Sequence, residues 1–512
     1  MSESVKLRRY QAAVWDEPVV MTLSRPGRRG VVFPTAAEPC DLSVIPAAMR
    51  RKTLPKLPEM SEPDVLRHYL HLSQQTLGMM GISLFGTCTM KYNARVNEAI
   101  TARDDVAQLH PRQPDSTLQG SLQVMHNLDL NLRALSGMDR FVFQAAGGAD
   151  AAFLHVCVTR AYHAARGELE TRDEIITSIQ SHPCNPATAA TAGFKIITLS
   201  LEENGYPSLE ALKAAVSPRT AALMINNPDD MGIYNPDIAE WVRVVKEAGG
   251  LCFYDHANFN GVMSKVRARD LGFDACMFML HKTFGAPKGG GGPAVGAYGC
   301  SEELIPYLPG PLLVEEPGGF RLEAGSELGI GRVREFLGNL PQIIKAYAWV
   351  RAMGIEGIAE ASDLSVLANN YMGKQLAGIR GVTCSHPHIK AWRLEMTRYS
   401  LETLERETGI SAYDVQNRMV DYGVDAFWLA HEPWVIAQPF TPEAGEMWSK
   451  EDIDYWIAVL AQVCQEAYDN PDLVRTAPHN HPIGRLDSGP LEDPDRWATT
   501  WRAYQRKYPD AL

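Results

Sequence analysis

The sequence predicts an α/β protein: a large domain on a mostly parallel sheet covered by helices, then a smaller α+β domain. Three observations carry this. From about 141 to 300, short apolar runs of strand length alternate with amphipathic stretches of helix length. Alternation at that spacing implies crossover connections, hence a parallel sheet with helices on both faces. Two of the apolar runs end in residues able to do chemistry, Asp255 and Lys282, and the carboxyl ends of strands are where such sheets bind ligands. Beyond about 330 the pattern becomes helical, with only short strand-like pieces.

The elements follow in order. Residues 1–60 are proline-rich and irregular, with Ser24-Arg25-Pro26-Gly27-Arg28-Arg29 as a loop, and read as an arm over a body or a partner subunit. Helical spacing of apolar residues predicts helices over 62–80 and 117–136. Strands are expected at 141–143, 175–177, 196–199, 221–226, 251–255, 274–280 and 295–300. Helices are expected from Ala151 to about Arg166 and over Asp237–Glu247. Arg332–Met353 and Ile358–Leu376 read as two long helical segments. Strand-like pieces near 380–398 and 425–437, with helices near 402–423 and 450–467, complete the smaller domain. Pro471, Pro478, Pro482, Pro490 and Pro494 mark an extended tail. The expected division is 1–112 (arm and helical segment), 113–328 (large α/β domain) and 329–512 (C-terminal α+β domain with tail).

Composition narrows the function. The 512 residues are 45% hydrophobic and 21% charged, with a net charge of −12. That balance argues against nucleic-acid binding, which uses a basic face. No apolar run is long enough to cross a membrane as a helix, and the start of the chain does not read as a secretory signal. The nine cysteines contain no CxxC pair, so we expect reduced, buried thiols in a cytoplasmic protein, and no metal site.

The run Met279-Leu280-His281-Lys282-Thr283-Phe284, followed by Gly289–Gly292 and Pro293, carries most of the functional signal. Burial makes an ammonium costly and favours the free amine, which is the nucleophile needed for a Schiff base. Leu251-Cys252-Phe253-Tyr254-Asp255 reads as a buried strand ending in a carboxylate. A Schiff-base lysine plus an acid that keeps a pyridine nitrogen protonated are the two requirements of a pyridoxal 5′-phosphate (PLP) enzyme. Gly147-Gly148-Ala149-Asp150 is a strand-to-helix glycine turn, either a phosphate cradle at a helix N-terminus or a simple tight turn. The four glycines Gly289–Gly292 fit close backbone approach to a cofactor or a neighbouring subunit. His182, in Ser181-His182-Pro183-Cys184-Asn185-Pro186, suits a ring stacked on the pyridine and equally a capping or core histidine. Asn226-Asn227-Pro228-Asp229-Asp230 is a turn by composition at another strand end, open to cofactor contact.

In this order the segments resemble subunit 2 of the decarboxylating glycine dehydrogenase, the P-protein family of the glycine cleavage system. The resemblance runs from about 15 to 490. It rests on Ser24-Arg25-Pro26-Gly27, Gly86-Thr87-Cys88-Thr89-Met90-Lys91-Tyr92-Asn93, Gln119-Gly120-Ser121-Leu122, Ser136-Gly137-Met138-Asp139 and the lysine motif with its GGGGP. Arg334-Glu335-Phe336-Leu337-Gly338-Asn339, Ala346-Tyr347, Ala477-Pro478-His479 and Arg485-Leu486-Asp487 extend it. The resemblance implies a fold-type-I, aspartate aminotransferase-like PLP enzyme. Lys282 would carry the cofactor, Asp255 meet the ring nitrogen, His182 stack on the ring and the turn at Gly148 bind phosphate. Ala149, Asp150, Asn185, Asn227 and Ala257 join the expected cofactor-binding set, and His182 and His281 the groups that move protons with Lys282.

The chain departs from the family's pattern around these anchors. HGTNPA becomes His182-Pro183-Cys184-Asn185-Pro186-Ala187, DGAN becomes Asp255-His256-Ala257-Asn258, and NPNT becomes Asn227-Pro228-Asp229-Asp230. PHG becomes Pro287-Lys288-Gly289, EPTE is replaced by Ala437-Gln438-Pro439-Phe440, and HxPT is not recognisable around Asp425–Leu429. Changes gathered at strand ends imply another substrate or another fate for the carbanion. The expected activity is external aldimine and quinonoid formation from a non-glycine amino acid. Decarboxylation, β- or γ-elimination or carbon–carbon bond formation could follow, for example on S-adenosylmethionine in a pocket enlarged or recharged at Asp229, Asp230 and His256. The alternatives are authentic glycine decarboxylation with a subunit 1 and a lipoyl carrier protein, or a non-catalytic partner subunit. A homodimer or larger oligomer is implied by the resemblance. Arg393 and Arg398 are both open as carboxylate-binding arginines.

Overall fold

A computed structural model of the chain describes residues 5–32, 34, 41–53, 55–76, 81–85, 92–286, 294–334, 337–425, 427–487 and 489–509. The expected roles of Gly289–Gly292 and Pro293, and the motif residues 86–91, Pro287, Lys288, Glu335 and Phe336, lie outside the described residues.

The expected strands form one seven-stranded sheet: β1 (Arg140–Ala145), β2 (Glu174–Ser178), β3 (Lys195–Leu199), β4 (Thr220–Asn226), β5 (Leu251–His256), β6 (Ala275–Met279) and β7 (Gly296–Cys300). Their order across the sheet is β1-β7-β6-β5-β4-β2-β3. Neighbours from β3 through β6 pair in parallel, while β7 runs antiparallel to both β1 and β6. Every residue of β4 and β5 is buried, which explains why these runs read as continuously apolar rather than alternating.

Helices cover both faces. On one side, α1 (Gln119–Ser136), α4 (Ile238–Glu247) and the first half of α5 (Leu340–Leu376) pack Leu128, Trp241 and Ile343 against Cys252, Tyr254 and Phe278. On the other, α2 (Gly148–Ala165) and α3 (Cys184–Thr191) pack Leu154, Val158 and Ala189 against Phe253 and Met277. Helix α4 shows the local logic: Ile238, Trp241, Val242 and Val245 are its buried residues, one stripe at helical spacing.

Two helical expectations change in outline. The segment expected from Arg332 becomes helical only at Leu340, because Gly338 has φ 107° and lies so close to β1 that a Cβ would sit 2.0 Å from the Phe143 carbonyl oxygen. The break expected between Met353 and Ile358 is Gly354, with φ 62° and ψ −178° inside α5. The helix expected over 402–423 likewise divides at Gly409 (φ 72°) into Glu402–Thr408 and Ala412–Met419.

The second core gathers Met372, Leu376, Leu404, Phe427, Phe440 and Trp456, the last on α6 (Lys450–Asp469). Its strands are shorter than expected: Thr383–Cys384, Tyr399–Ser400 and Pro439–Phe440 form one small antiparallel sheet. Most of the strand-like run 425–437 is loop, and Val424–Asp425 instead pairs in parallel with Ile82–Ser83. The N-terminal segment is therefore wound into this core: Leu84 is fully buried there, and the Ala12 N–H donates to the Asn480 carbonyl at 2.9 Å. No described helix is long and apolar enough to cross a membrane.

Candidate active site

Strands β2, β4, β5 and β6 deliver the candidate residues at their carboxyl ends, as the topology requires. Strand alternation decides which side chains arrive together. Phe253 faces α2 and α3, so Asp255, two residues on, faces the same way. Asn226 lies directly opposite Asp255 in the β4–β5 register. His256 has the parity of Tyr254 and points to the other face. It stacks on Phe278 (centroids 5.2 Å) and Tyr254 (3.9 Å), with both ring nitrogens buried. His256 therefore does not reshape the pocket as expected; it is a core histidine, which burial holds neutral with a pKa near 3.

Asp255 is 1% exposed and fixed at both oxygens: Oδ1 accepts the Ala257 N–H at 2.9 Å, and Oδ2 accepts Asn185 Nδ2 at 3.1 Å. Burial raises its pKa to about 6, opposed by the Ala257 N–H, the Lys282 charge and Asn185. Ala257 thus acts on the site through its backbone. Lys282, just past β6, is 6% exposed. His281 beside it is driven to about 4 by burial and the Lys282 charge, and its Nδ1 is buried without a partner. His182 accepts the Cys184 N–H on Nδ1 at 3.1 Å and meets His431 edge-on, with centroids 4.4 Å apart. Burial, despite Asp230, takes His182 to about 4. Both histidines are neutral at pH 7.

The glycine turn has a packing reason as well. A Cβ on Gly148 would lie 1.9 Å from Met279 Cε, so the bare backbone lets α2 start against β6. Ala149 is exposed. Asp150 accepts the Ala146 N–H at 2.8 Å and pairs with Arg334 at 3.0 Å. Asn227 is not brought into the group. Its Nδ2 donates to the Asn235 carbonyl (3.2 Å), and its Oδ1 accepts the Asn235 N–H (2.8 Å), so it ties a loop.

Residues beyond 390 complete the pocket, and most of these were not legible as site residues. Arg398 is 4% exposed; its Nε donates to Thr441 Oγ1 at 3.0 Å, its guanidinium lies 5.0 Å from the Trp428 ring centre, and Nη2 has no partner among the described residues. Trp428 packs edge-on to His431 at 4.7 Å. Arg393 spends Nη2 on the carbonyls of Ser385 (2.6 Å) and His386 (3.2 Å), and its Nη1 is buried with no partner among the described residues. Asp229 and Asp230 are both buried. Asp229 Oδ1 accepts the N–H groups of Met231 and Ile233, each at 2.9 Å, and burial raises Asp229 to about 7. Asp230 Oδ1 accepts Asn226 Nδ2 (3.1 Å) and Asn258 Nδ2 (3.2 Å), and its charge acts on His182, His431 and Arg398.

Buried polar atoms without partners among the described residues lie at these strand ends and in the segments facing them: Gln180 Nε2, Ser181 Oγ, Asn226 Oδ1, His281 Nδ1, Arg398 Nη2 and His431 Nε2. Native interiors rarely leave such atoms unmatched; ordered water, an ion or a bound group satisfies them. A buried amine, an oriented buried carboxylate and a fringe of unused donors fit an aromatic, anionic cofactor with a basic ring nitrogen.

A fold of this topology with that constellation at its strand ends defines a fold-type-I, PLP-dependent enzyme. The aminotransferase class-V family profile matches residues 146–317. "Probable glycine dehydrogenase (decarboxylating) subunit 2" of Pyrococcus abyssi is 41% identical over 499 residues, covering 97% of this chain and 98% of the relative. The protein of the same description from Caldanaerobacter subterraneus is 38% identical, covering 92% and 96%. The crystal structure of a glycine decarboxylase (P-protein) of the glycine cleavage system, in inhibitor-bound form, superposes with TM-score 0.64 at 21% identity, over 82% of this chain and 92% of that one. The cysteine desulfurase CsdA of Escherichia coli follows at TM-score 0.57 and 18% identity, over 76% and 95%. The chain belongs to the glycine dehydrogenase (decarboxylating) subunit 2 family.

Proposed function

We propose that this enzyme labilises a bond at Cα of an amino acid other than glycine, with Lys282 as its cofactor-carrying amine. The observation that carries the reading is Asp230, a buried carboxylate at a strand end among His182, His431 and Arg398. Glycine has no side chain to meet it, and Asp230 accepts hydrogen bonds only on Oδ1 among the described residues.

Bound PLP supplies an electron sink for negative charge developing at Cα. The chain's own residues do the rest. Asp255, steered by Asn185 and the Ala257 N–H, would accept a hydrogen bond from the ring nitrogen and keep that nitrogen protonated. Gly148, Ala149 and Asp150 form the turn on the phosphate side, with Asn227 bracing the neighbouring loop. Arg398 offers Nη2 to the substrate carboxylate, a charge-assisted bond in a dry site. Neutral His182 would pack against the ring or take a proton, and His281 and the Lys282 amine would be the groups that move protons near Cα. We place the working divisions at 1–112, 113–328 and 329–512, and the enzyme in the cytoplasm as a homodimer. Exposed Val14, Trp15, Val19, Val31 and Val32 on the arm favour cover by another subunit.

The second reading is glycine decarboxylation with a subunit 1 and a lipoyl carrier protein, favoured by the 41% identity that spans nearly the whole chain. A non-catalytic partner subunit is the third, and buried Lys282 and Asp255 weigh against it. A visible-absorbance titration of the PLP-loaded protein separates them: a band that responds to another amino acid and not to glycine supports the proposal. A response to glycine alone supports the second reading, and no cofactor band at all supports the third.

A further inference from the structure

Asp230 and Asp229 are adjacent in sequence and unlike in use. Asp229 folds its Oδ1 onto two backbone N–H groups, a task an asparagine would do as well. Asp230 accepts two side-chain amides on Oδ1, bonds that a neutral acceptor would also make, so they do not account for a carboxylate. Its Oδ2 has no hydrogen-bond partner among the described residues, and no lysine or arginine closes an ion pair with it there. Arg398 attracts it from a distance but is anchored on Thr441, and its Nη2 has no hydrogen-bond partner among the described residues. His182 and His431 complete the wall, and Trp428 closes it behind His431. A buried carboxylate beside aromatic faces is the standard chemistry for holding a cation.

We infer that Asp230, with the aromatic wall of His182, His431 and Trp428, binds a positively charged group on the side chain of the substrate: an ammonium, a guanidinium or a sulfonium. The inference rests on the non-glycine reading above and names its substrate class. Three anchors then divide the substrate: the amine goes to Lys282, the carboxylate to Arg398 and the distal cation to Asp230. Asp230, where the resembling family reads Thr, makes the site prefer cationic side chains over neutral and acidic ones.

Matched pairs test it on the PLP-loaded wild-type protein. Dissociation constants are read from the absorbance change or by calorimetry for lysine against norleucine, arginine against citrulline, and S-adenosylmethionine against S-adenosylhomocysteine. At least one cation is expected to bind about 30-fold tighter than its neutral match, and that pair identifies the cation. Asp230→Asn should reduce that ratio to about threefold or less while the cofactor band and its pH response persist. Equal binding within all three pairs in the wild type overturns the inference whatever the variant does, and leaves the non-glycine reading standing if a neutral amino acid still shifts the band. A shift with glycine alone overturns that reading and this inference with it.

Discussion

Arg398 and Arg393 are both buried, yet the structure gives them different work. Arg393 holds two loop carbonyls through Nη2, while Arg398 lies under the charge of Asp230 and Asp229; each has one buried nitrogen, Arg393 Nη1 and Arg398 Nη2, without a partner among the described residues. Arg398→Gln should therefore weaken amino-acid binding about 100-fold with little change in melting temperature, because it removes one partner of a desolvated ion pair. Arg393→Gln should do the reverse, lowering stability by about 1–3 kcal/mol through the orphaned carbonyls while changing substrate affinity far less. Paired binding and melting measurements check both. Lys282→Ala should abolish the visible cofactor band and the reaction together, which an absorbance scan shows. At this scale the sequence was most legible where residue type alone signals chemistry. Lys282 and Asp255 read out because buried charges are rare. Asn226 was overlooked in favour of Asn227, since only strand parity distinguishes two adjacent asparagines. His431 and Trp428 carried no signal, because their nearness to His182 is made by the fold and not by spacing.

At the scale of elements, the sheet was readable strand by strand because its central members are buried on both faces and so continuously apolar. The short strands of the second core were not. Pairings of two residues leave no periodicity, and Ile82–Ser83 joins Val424–Asp425 across most of the chain. The close approaches of elements were also invisible until glycines could be measured against their neighbours. Gly148→Ala would press a methyl into the flexible Met279 side chain, at a cost of about 1–3 kcal/mol by overpacking. Gly338→Ala would meet the Phe143 carbonyl at a backbone φ of 107° and should cost more, because neither the backbone oxygen nor the dihedral can yield. Denaturant unfolding of the two variants should rank them in that order.

Across the whole molecule, buried histidines set the acid limit. His155 and His256 are held near 3, and His182 and His281 near 4, all chiefly by burial. An unfolded chain takes up these protons near pH 6.5, so each histidine withdraws stability as pH falls from about 6.5 toward 4. Asp255, raised to about 6, and Asp229, raised to about 7, work in the opposite sense: their contribution is present when they are protonated and is lost as pH rises through those values. Burial also lowers His163, His386 and His431 and raises Asp274 and Glu395, so seven histidines act against four carboxylates and the balance of protons favours the unfolded state. Below pH 6.5 the cofactor-free protein should lose about 1.4 kcal/mol per pH unit for each net proton, a trend that melting curves between pH 4.5 and 7.5 would show.

We propose that this member of the glycine dehydrogenase (decarboxylating) subunit 2 family acts on an amino acid other than glycine. The decisive measurement is exchange of labelled bicarbonate into the glycine carboxylate, with a lipoyl carrier protein and a subunit 1 of the family added to the PLP-loaded enzyme. No exchange above that of a Lys282→Ala control is expected, while another amino acid still shifts the cofactor band. Exchange dependent on Lys282 would overturn the proposal and make the protein a working subunit of glycine cleavage.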